Sequence, residues 1–296
     1  YVQFIKGALL IVFSTVLVIL LLNRGLDKDV SDDYHEFVEL TAVMEGDSIA
    51  SIAEGGYTIT GKVSDSKGDF LQIEKDGYKN WWKVSEDNKI TEALTIVETS
   101  NHEKLYNGAP IEEQLFYPVG HMDKIIVDGK EVDSTGALGP FKYLSTLESS
   151  RVVRFMKHGF DFEGDHVSIW YQEPTEGSEI MRPGLKFKVD KGSTPLSKLN
   201  FVSLMIALFF GTSALPHVLI RYYTVPSPRD ARKSTILAII AIGFFYILTL
   251  FIGLGAMTNG VIDVESSNMA APLLAKYFGK VLFSIISAIA FATVLG

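Results

Sequence analysis

The side chains best suited to chemistry gather near the end of the chain, in Gly211-Thr-Ser-Ala-Leu-Pro-His217, followed by Arg221, Arg229 and Arg232. Gly211 and Pro216 are spaced to break a helix. Glycine takes torsions closed to other residues, and proline removes a backbone hydrogen bond and clashes with the preceding turn. Where a helix breaks in an apolar setting, freed backbone groups can meet an ion or a polar solute. A half-helix N-terminus there favours an anion. Thr212 and Ser213 supply hydroxyl donors. His217 offers a donor in either protonation state, and Arg221, four residues on, shares its side of a helix. These residues suit a solute site at Gly211, Thr212, Ser213, Pro216 and His217. A kink that only packs, with a structural histidine, is the plainer alternative. Arg221 suits an inner gate or a headgroup contact, and Arg229 and Arg232 the same membrane face. Ser227-Pro228 reads as a helix start.

Other chemistry is not written in the chain. Cysteine is absent, and the six histidines show no metal-ligand spacing. No catalytic triad, phosphate loop or paired-acid site stands out, so an enzyme and a bound cofactor are not expected. Asp161, Glu163 and Asp165 surround Gly164, but they lack the spacing of a calcium loop and read as a solvated turn.

The elements that must position the 211–217 segment are apolar. Gly7–Asn23, Leu199–Ile220, Ser234–Ile262 and Val281–Gly296 carry no formal charge. A span needs about 20 residues. The first three segments reach it, with Lys6 and Arg24 stretching to the headgroups, and the fourth falls short. Ser234–Ile262 has no polar side, unlike a core helix of a water-soluble protein. The chain reads as an internal piece of a longer one. The loop from Arg221 to Lys233 has four bases and one acid, which marks a cytoplasmic turn.

Between the first two spans lies a long polar insert. Residues 27–198 hold 32 of the 35 acids and 19 of the 27 bases. No basic tract suits a nucleic acid. Short β-type runs at 57–63, 69–74, 80–84, 124–127 and 166–171, with turn residues between them, predict a β-rich domain. Helices are expected at Thr146–Lys157 and, more weakly, at Asp32–Ala42. Trp81, Trp82, Trp170 and Tyr171 could stack on a flat ligand, but aromatic residues more often pack a small β core.

The run Phe210-Gly-Thr-Ser-Ala-Leu-Pro-His-Val-Leu-Ile-Arg-Tyr-Tyr-Thr-Val-Pro226, with Arg229-Asp-Ala-Arg-Lys-Ser234 and Gly243-Phe-Phe-Tyr-Ile-Leu-Thr249, resembles the sodium:solute symporter family, in its cation/acetate permease branch. Tyr1–Leu10, Ile180–Gly184, Asn268–Ala271 and Ser287–Thr293 carry further likeness. The resemblance covers about the first 25 residues and Ile180–Gly296, with no counterpart for the insert.

It implies an inverted-repeat, five-plus-five helix fold with a soluble domain inserted between two transmembrane helices. Core helix 5 would occupy 1–25, the extracytoplasmic insert 27–179 and an outer linker 180–198. Broken core helix 6 would occupy 199–223, a cytoplasmic loop 224–233 and core helix 7 residues 234–258. An outer loop at 259–280 and the start of core helix 8 at 281–296 complete the piece. The implied function is uptake of a short-chain monocarboxylate such as acetate. Sodium or a proton would be the coupling ion, and Thr293 a sodium-ligand candidate. The implied partners are the small carboxylate, the bilayer of a bacterial inner membrane and the missing helices of the full-length chain. The competing reading is a membrane-anchored sensor whose insert binds a ligand.

Overall fold

The computed structural model describes residues 2–30, 34–45, 48–85, 87–113, 115–182, 189, 192–213, 220 and 224–295. Seven α-helices and thirteen strands are described. The first helix, α1, spans Val2–Arg24. Its exposed side chains Ile5, Leu9, Val12, Val16 and Ile19 form a stripe along one side, while Leu17 and Leu21 are fully buried. That pattern fits a helix with one protein-packed face and one face turned to lipid or to other helices.

The insert is β-rich, as its sequence predicts. One sheet has the order β2-β1-β6-β5-β4-β3. Its strands are β1 (Glu39–Glu45), β2 (Ser48–Ile52), β3 (Thr58–Asp65), β4 (Gly68–Lys75), β5 (Tyr78–Val84) and β6 (Lys89–Glu92). The turn between β4 and β5 has positive φ at Asp76 (52°) and Gly77 (85°), the pair of torsions that two-residue hairpins favour.

The second sheet has the order β10-β9-β11-β12-β7-β8. Its strands are β7 (Leu94–Glu98), β8 (Lys104–Tyr106), β9 (Val119–Val127), β10 (Lys130–Val132), β11 (Arg151–Phe162) and β12 (Asp165–Glu176). The long β11–β12 hairpin ties the two sheets together. Phe160 and Phe162 from β11 each pack edge-on against Trp81 of β5, with ring centres 4.9 Å apart.

Trp81, Trp82, Trp170 and Tyr171 are all buried in these cores. At the hairpin tip Asp161 contacts His166 at 2.7 Å, and Asp165 accepts the Ser100 amide at 3.0 Å. Among the described residues no cluster of histidines and acids could hold a metal ion.

Two expected helices are strands instead. The helix α2 occupies Pro140–Glu148 and stops before Arg151. Ser150 closes it by donating to the Thr146 carbonyl at 2.6 Å while accepting the Ile126 amide at 3.0 Å. The β-branched Val152 and Val153 then pair with β9 and β12. Asp32–Ala42 also fails as a helix. Residues 32 and 33 lie outside the described residues, 34–38 form neither helix nor strand, and Glu39 begins β1. Edge pairing with β2 and β6 outweighs the weak helical pattern there.

A short helix, α3 (Gly177–Ile180), ends the insert. Then come α4 (Pro195–Ser213), α5 (Pro228–Thr258), α6 (Ala270–Phe278) and α7 (Lys280–Leu295). Among the described residues two helices, α1 and α5, are long and apolar enough to cross a membrane. The uncharged run after Ser234 is not helical throughout. Its last four residues form β13 (Asn259–Ile262).

The helices and the insert share one core. Leu17, Leu21 and Leu26 meet Phe251, Leu254 and Ala256 of α5, Leu274 and Ala275 of α6 and Ile286 of α7. Met122, Ile125, Tyr143, Leu147 and Val152 of the insert belong to the same cluster. Gly255 makes the α1–α5 crossing tight: a Cβ there would stand 2.5 Å from the Leu21 side chain.

Candidate functional site

The predicted solute site is only partly within the described residues. Gly211 lies in the last turn of α4 and is exposed, and Thr212 and Ser213 complete the helix. Pro216, His217 and Arg221 lie outside the described residues. The helix therefore continues through Gly211, where the break was expected to begin, and residues 214–216 lie outside the described residues.

The start of α5 is described in full. Ser227 is the N-cap: its hydroxyl oxygen accepts the Asp230 amide at 3.2 Å, and its proton goes to the Asp230 carboxylate at 2.6 Å. Pro228 occupies the first turn, where its missing N–H costs nothing. Asp230 also sets a negative charge against the positive end of the helix. Arg229 and Arg232 are exposed beside it. Arg232 lines a cleft of about 530 Å³ with Val225, Pro228, Ala231 and Thr235.

On α7, Ser284 donates to the Lys280 carbonyl at 2.9 Å, and Thr293 donates to the Ile289 carbonyl. Both hydroxyls are engaged by their own helix. Thr293 is exposed, whereas the Ser287 hydroxyl is buried with no hydrogen-bond partner among the described residues. At the same end, Lys6 of α1 donates to the Ala292 carbonyl at 2.8 Å. Lys6 thus caps a neighbouring helix instead of reaching straight to a headgroup.

At the opposite end lies a site that the sequence reading missed, the seam between the insert and the membrane helices. The strand β13, directly after α5, joins the second sheet by antiparallel pairing with β9, with Asn259 opposite His121 and Ile262 opposite Val119. Gly120 makes this approach possible. Its φ is +98°, and a Cβ would stand 2.5 Å from the Met257 carbonyl oxygen.

Above it, the Tyr34 hydroxyl pairs with His121 Nδ1 at 3.0 Å. Burial pushes the Tyr34 phenol well above its ordinary range. Burial also holds His121 below the usual histidine value, with nearby Asp123 opposing. Both groups are therefore neutral near pH 7, as a hydrogen bond from phenol to imidazole requires.

The exit of α1 is fastened as well. Thr135 N–H donates to the Leu26 carbonyl at 2.9 Å, Leu138 N–H to the Leu22 carbonyl at 2.8 Å and Lys28 N–H to the Asp133 carbonyl at 2.9 Å. Leu26 N–H returns a bond to the Thr135 hydroxyl at 3.0 Å. From α2, Tyr143 packs against the end of α5, in the core cluster that α1 also joins. Its ring centre is 5.9 Å from that of Phe251, and its hydroxyl lies 3.4 Å from that of Thr258. Burial pushes the Tyr143 phenol up to about 12, so it stays protonated. A sequence signal for the seam existed in Asn259-Gly-Val-Ile262, a short β-type run directly after a span.

These contacts fix relative sides. The insert sits on the C-terminal ends of α1 and α5. Arg229, Arg232 and Lys233 sit at the other end of α5, a helix of 31 residues and so about 46 Å long. That length exceeds the hydrocarbon thickness of about 30 Å. The insert and the basic turn therefore lie beyond opposite ends of the apolar stretch.

Comparison with known proteins bears on the same segment. Residues 173–296 match the model of the sodium:solute symporter family. The match covers less than half of the chain. A protein named monocarboxylic acid transporter, from Corynebacterium glutamicum, is 44% identical over 137 residues, which are 44% of this chain and 24% of that protein. A protein of Bacillus subtilis named uncharacterized symporter YwcA is 43% identical over 150 residues, 49% of this chain and 28% of that protein. The chain thus spans about a quarter of the length of these curated relatives. No solved structure gives a significant match.

Proposed function

We propose that this chain is part of a cation-coupled secondary transporter that imports a short-chain monocarboxylate such as acetate. The observation that carries the reading is the match of residues 173–296 to the sodium:solute symporter family. That segment contains the Gly211–Pro216 sequence, the basic turn and α5. The relative from Corynebacterium glutamicum, a monocarboxylic acid transporter by name, supports the substrate class. The insert and the basic turn at opposite ends of α5 support a multi-pass protein with the insert outside the cell, since short arginine-rich turns stay in the cytoplasm. Membrane-length helices and the family likeness favour transport over the sensor reading.

In the proposed mechanism, backbone groups freed at Gly211 and Pro216 face the solute, and the Thr212 and Ser213 hydroxyls donate to its carboxylate. His217 adds a donor near the same break. Arg221, Arg229 and Arg232 act at the cytoplasmic mouth, where a cationic surface favours departure of an anion from the site into the cell. Sodium or a proton is the coupling ion, and α7 is the described helix whose hydroxyls, Thr293 among them, suit sodium. The missing helices of the full-length chain complete the site.

The test is uptake of radiolabelled acetate and pyruvate into vesicles carrying the full-length protein, with and without sodium and proton gradients. Gradient-driven accumulation is expected for at least one of them. Replacing Thr212 and Ser213 with alanine together is expected to lower uptake at least tenfold with membrane insertion intact. Unchanged kinetics would remove both from the site.

A further inference from the structure

We infer that the insert is a permanent outer brace that holds α1, α5, α6 and the loop between α5 and α6 as one rigid body throughout the transport cycle. The inference rests on the transport reading above. Three independent contacts carry it. The β13–β9 pairing fastens the loop to the sheet through backbone hydrogen bonds. The 133–138 strap fastens the exit of α1. Tyr143 and Leu147 of α2, both fully buried, belong to the core that α1 and α5 share, and Tyr143 packs on Phe251 and Thr258 of α5.

A gate that opened in every cycle would have to break a backbone ladder and expose two large apolar side chains each time. Unpaired buried backbone groups and newly wetted apolar surface both oppose that. Alternating access needs one body to move against another. With the outer ends of α1 and α5 joined, their relative motion at that end is suppressed. The movement is left to elements outside the brace. Among the described helices, α7 packs into the braced core through Ile286, whereas α4 contributes no side chain to it, presents Leu196, Leu199 and Val202 outward and leads toward Pro216.

A cross-strand disulfide tests this directly. Val119 and Ile262 are register partners and pack in one cluster, so Val119→Cys with Ile262→Cys is placed for a bridge. This chain has no native cysteine, so any competing thiol comes from the rest of the full-length protein and is removed beforehand. In vesicles carrying the otherwise unaltered full-length protein, the bridge is expected to form without substrate. Acetate uptake is then expected to stay within about twofold of the reduced form. A tenfold or larger loss on oxidation, reversed by reductant, would make the seam a latch that opens in each cycle and would overturn the brace. Failure of the pair to cross-link would overturn it as well.

Hydrogen exchange on the unmodified carrier gives a reading independent of transport. The segment 259–262 should be protected as strongly as 119–127, and exchange at free-loop rates would refute the brace. Absence of uptake by the unmodified protein would count against the transport reading alone.

Discussion

The two ends of α5 differ sharply. Its last third is buried at Leu248, Phe251, Ile252, Leu254 and Ala256, against α1 and the insert. Its earlier part leaves Ile236, Leu237, Ile239, Ile240 and Ile242 exposed. Composition does not explain the contrast, since residues 234–247 and 248–258 are both apolar and uncharged. Partners explain it. The outer end has found its packing within this chain, through the insert. The inner side chains are those of a helix whose neighbours are lipid or other helices. One helix therefore belongs to a finished core at one end and to an open bundle at the other.

The largest expected effect comes from breaking the finished end. Replacing Tyr143 with alanine empties a fully buried site in the core that α1 and α5 share and should cost about 3–5 kcal/mol in the stability of the braced core. Thermal unfolding of the detergent-solubilised protein measures it. A change within experimental error would mean that this core is not packed as described.

At the other end, Ser227→Ala removes the N-cap of α5 and should cost about 1 kcal/mol. Hydrogen exchange should rise in the first turn of α5 while the seam stays protected. If exchange rose at both ends alike, the two ends would not be independent.

The smallest effect is a pH dependence confined to the seam. The folded value of His121 is depressed, so the unfolded state binds more protons between the two values, and stability falls with falling pH there. The stabilisation should be complete above about pH 6.5, the ordinary histidine value, and decline below it toward the folded value. His121→Gln should flatten that slope and leave the exchange of the first turn of α5 unchanged. A slope of equal size in the variant would exclude His121 as its source.

How much of this was legible in the sequence depended on the physics of each part. The membrane-length helices α1 and α5 were, because an uncharged run without a polar side has few alternatives. So was the start of α5, because Ser227-Pro-Arg-Asp230 carries both halves of a helix cap. The strands β3, β4 and β5 declared themselves through alternation and turn residues such as Asp76-Gly77. The segment Thr146–Lys157 misled, because its charge spacing suits a helix while Val152 and Val153 find strand partners far away in the chain. The seam was hidden for a related reason. Val119 and Ile262 are distant in sequence, and pairing between them is decided by the tertiary fold. Gly120 carries the local clue, but a glycine between Val119 and His121 gives no hint of the Met257 carbonyl above it.

The central claim is that α1 and α5 cross a bilayer, with the insert on the outside and the basic turn within. The most direct measurement places single cysteines at Glu163, in the hairpin tip, and at Lys233, beside the basic turn. Each is introduced into the full-length protein on a cysteine-free background and probed in intact cells with a membrane-impermeant thiol reagent. The account predicts labelling at position 163 in intact cells and at position 233 only after permeabilisation. Labelling of both positions from the same side would contradict it.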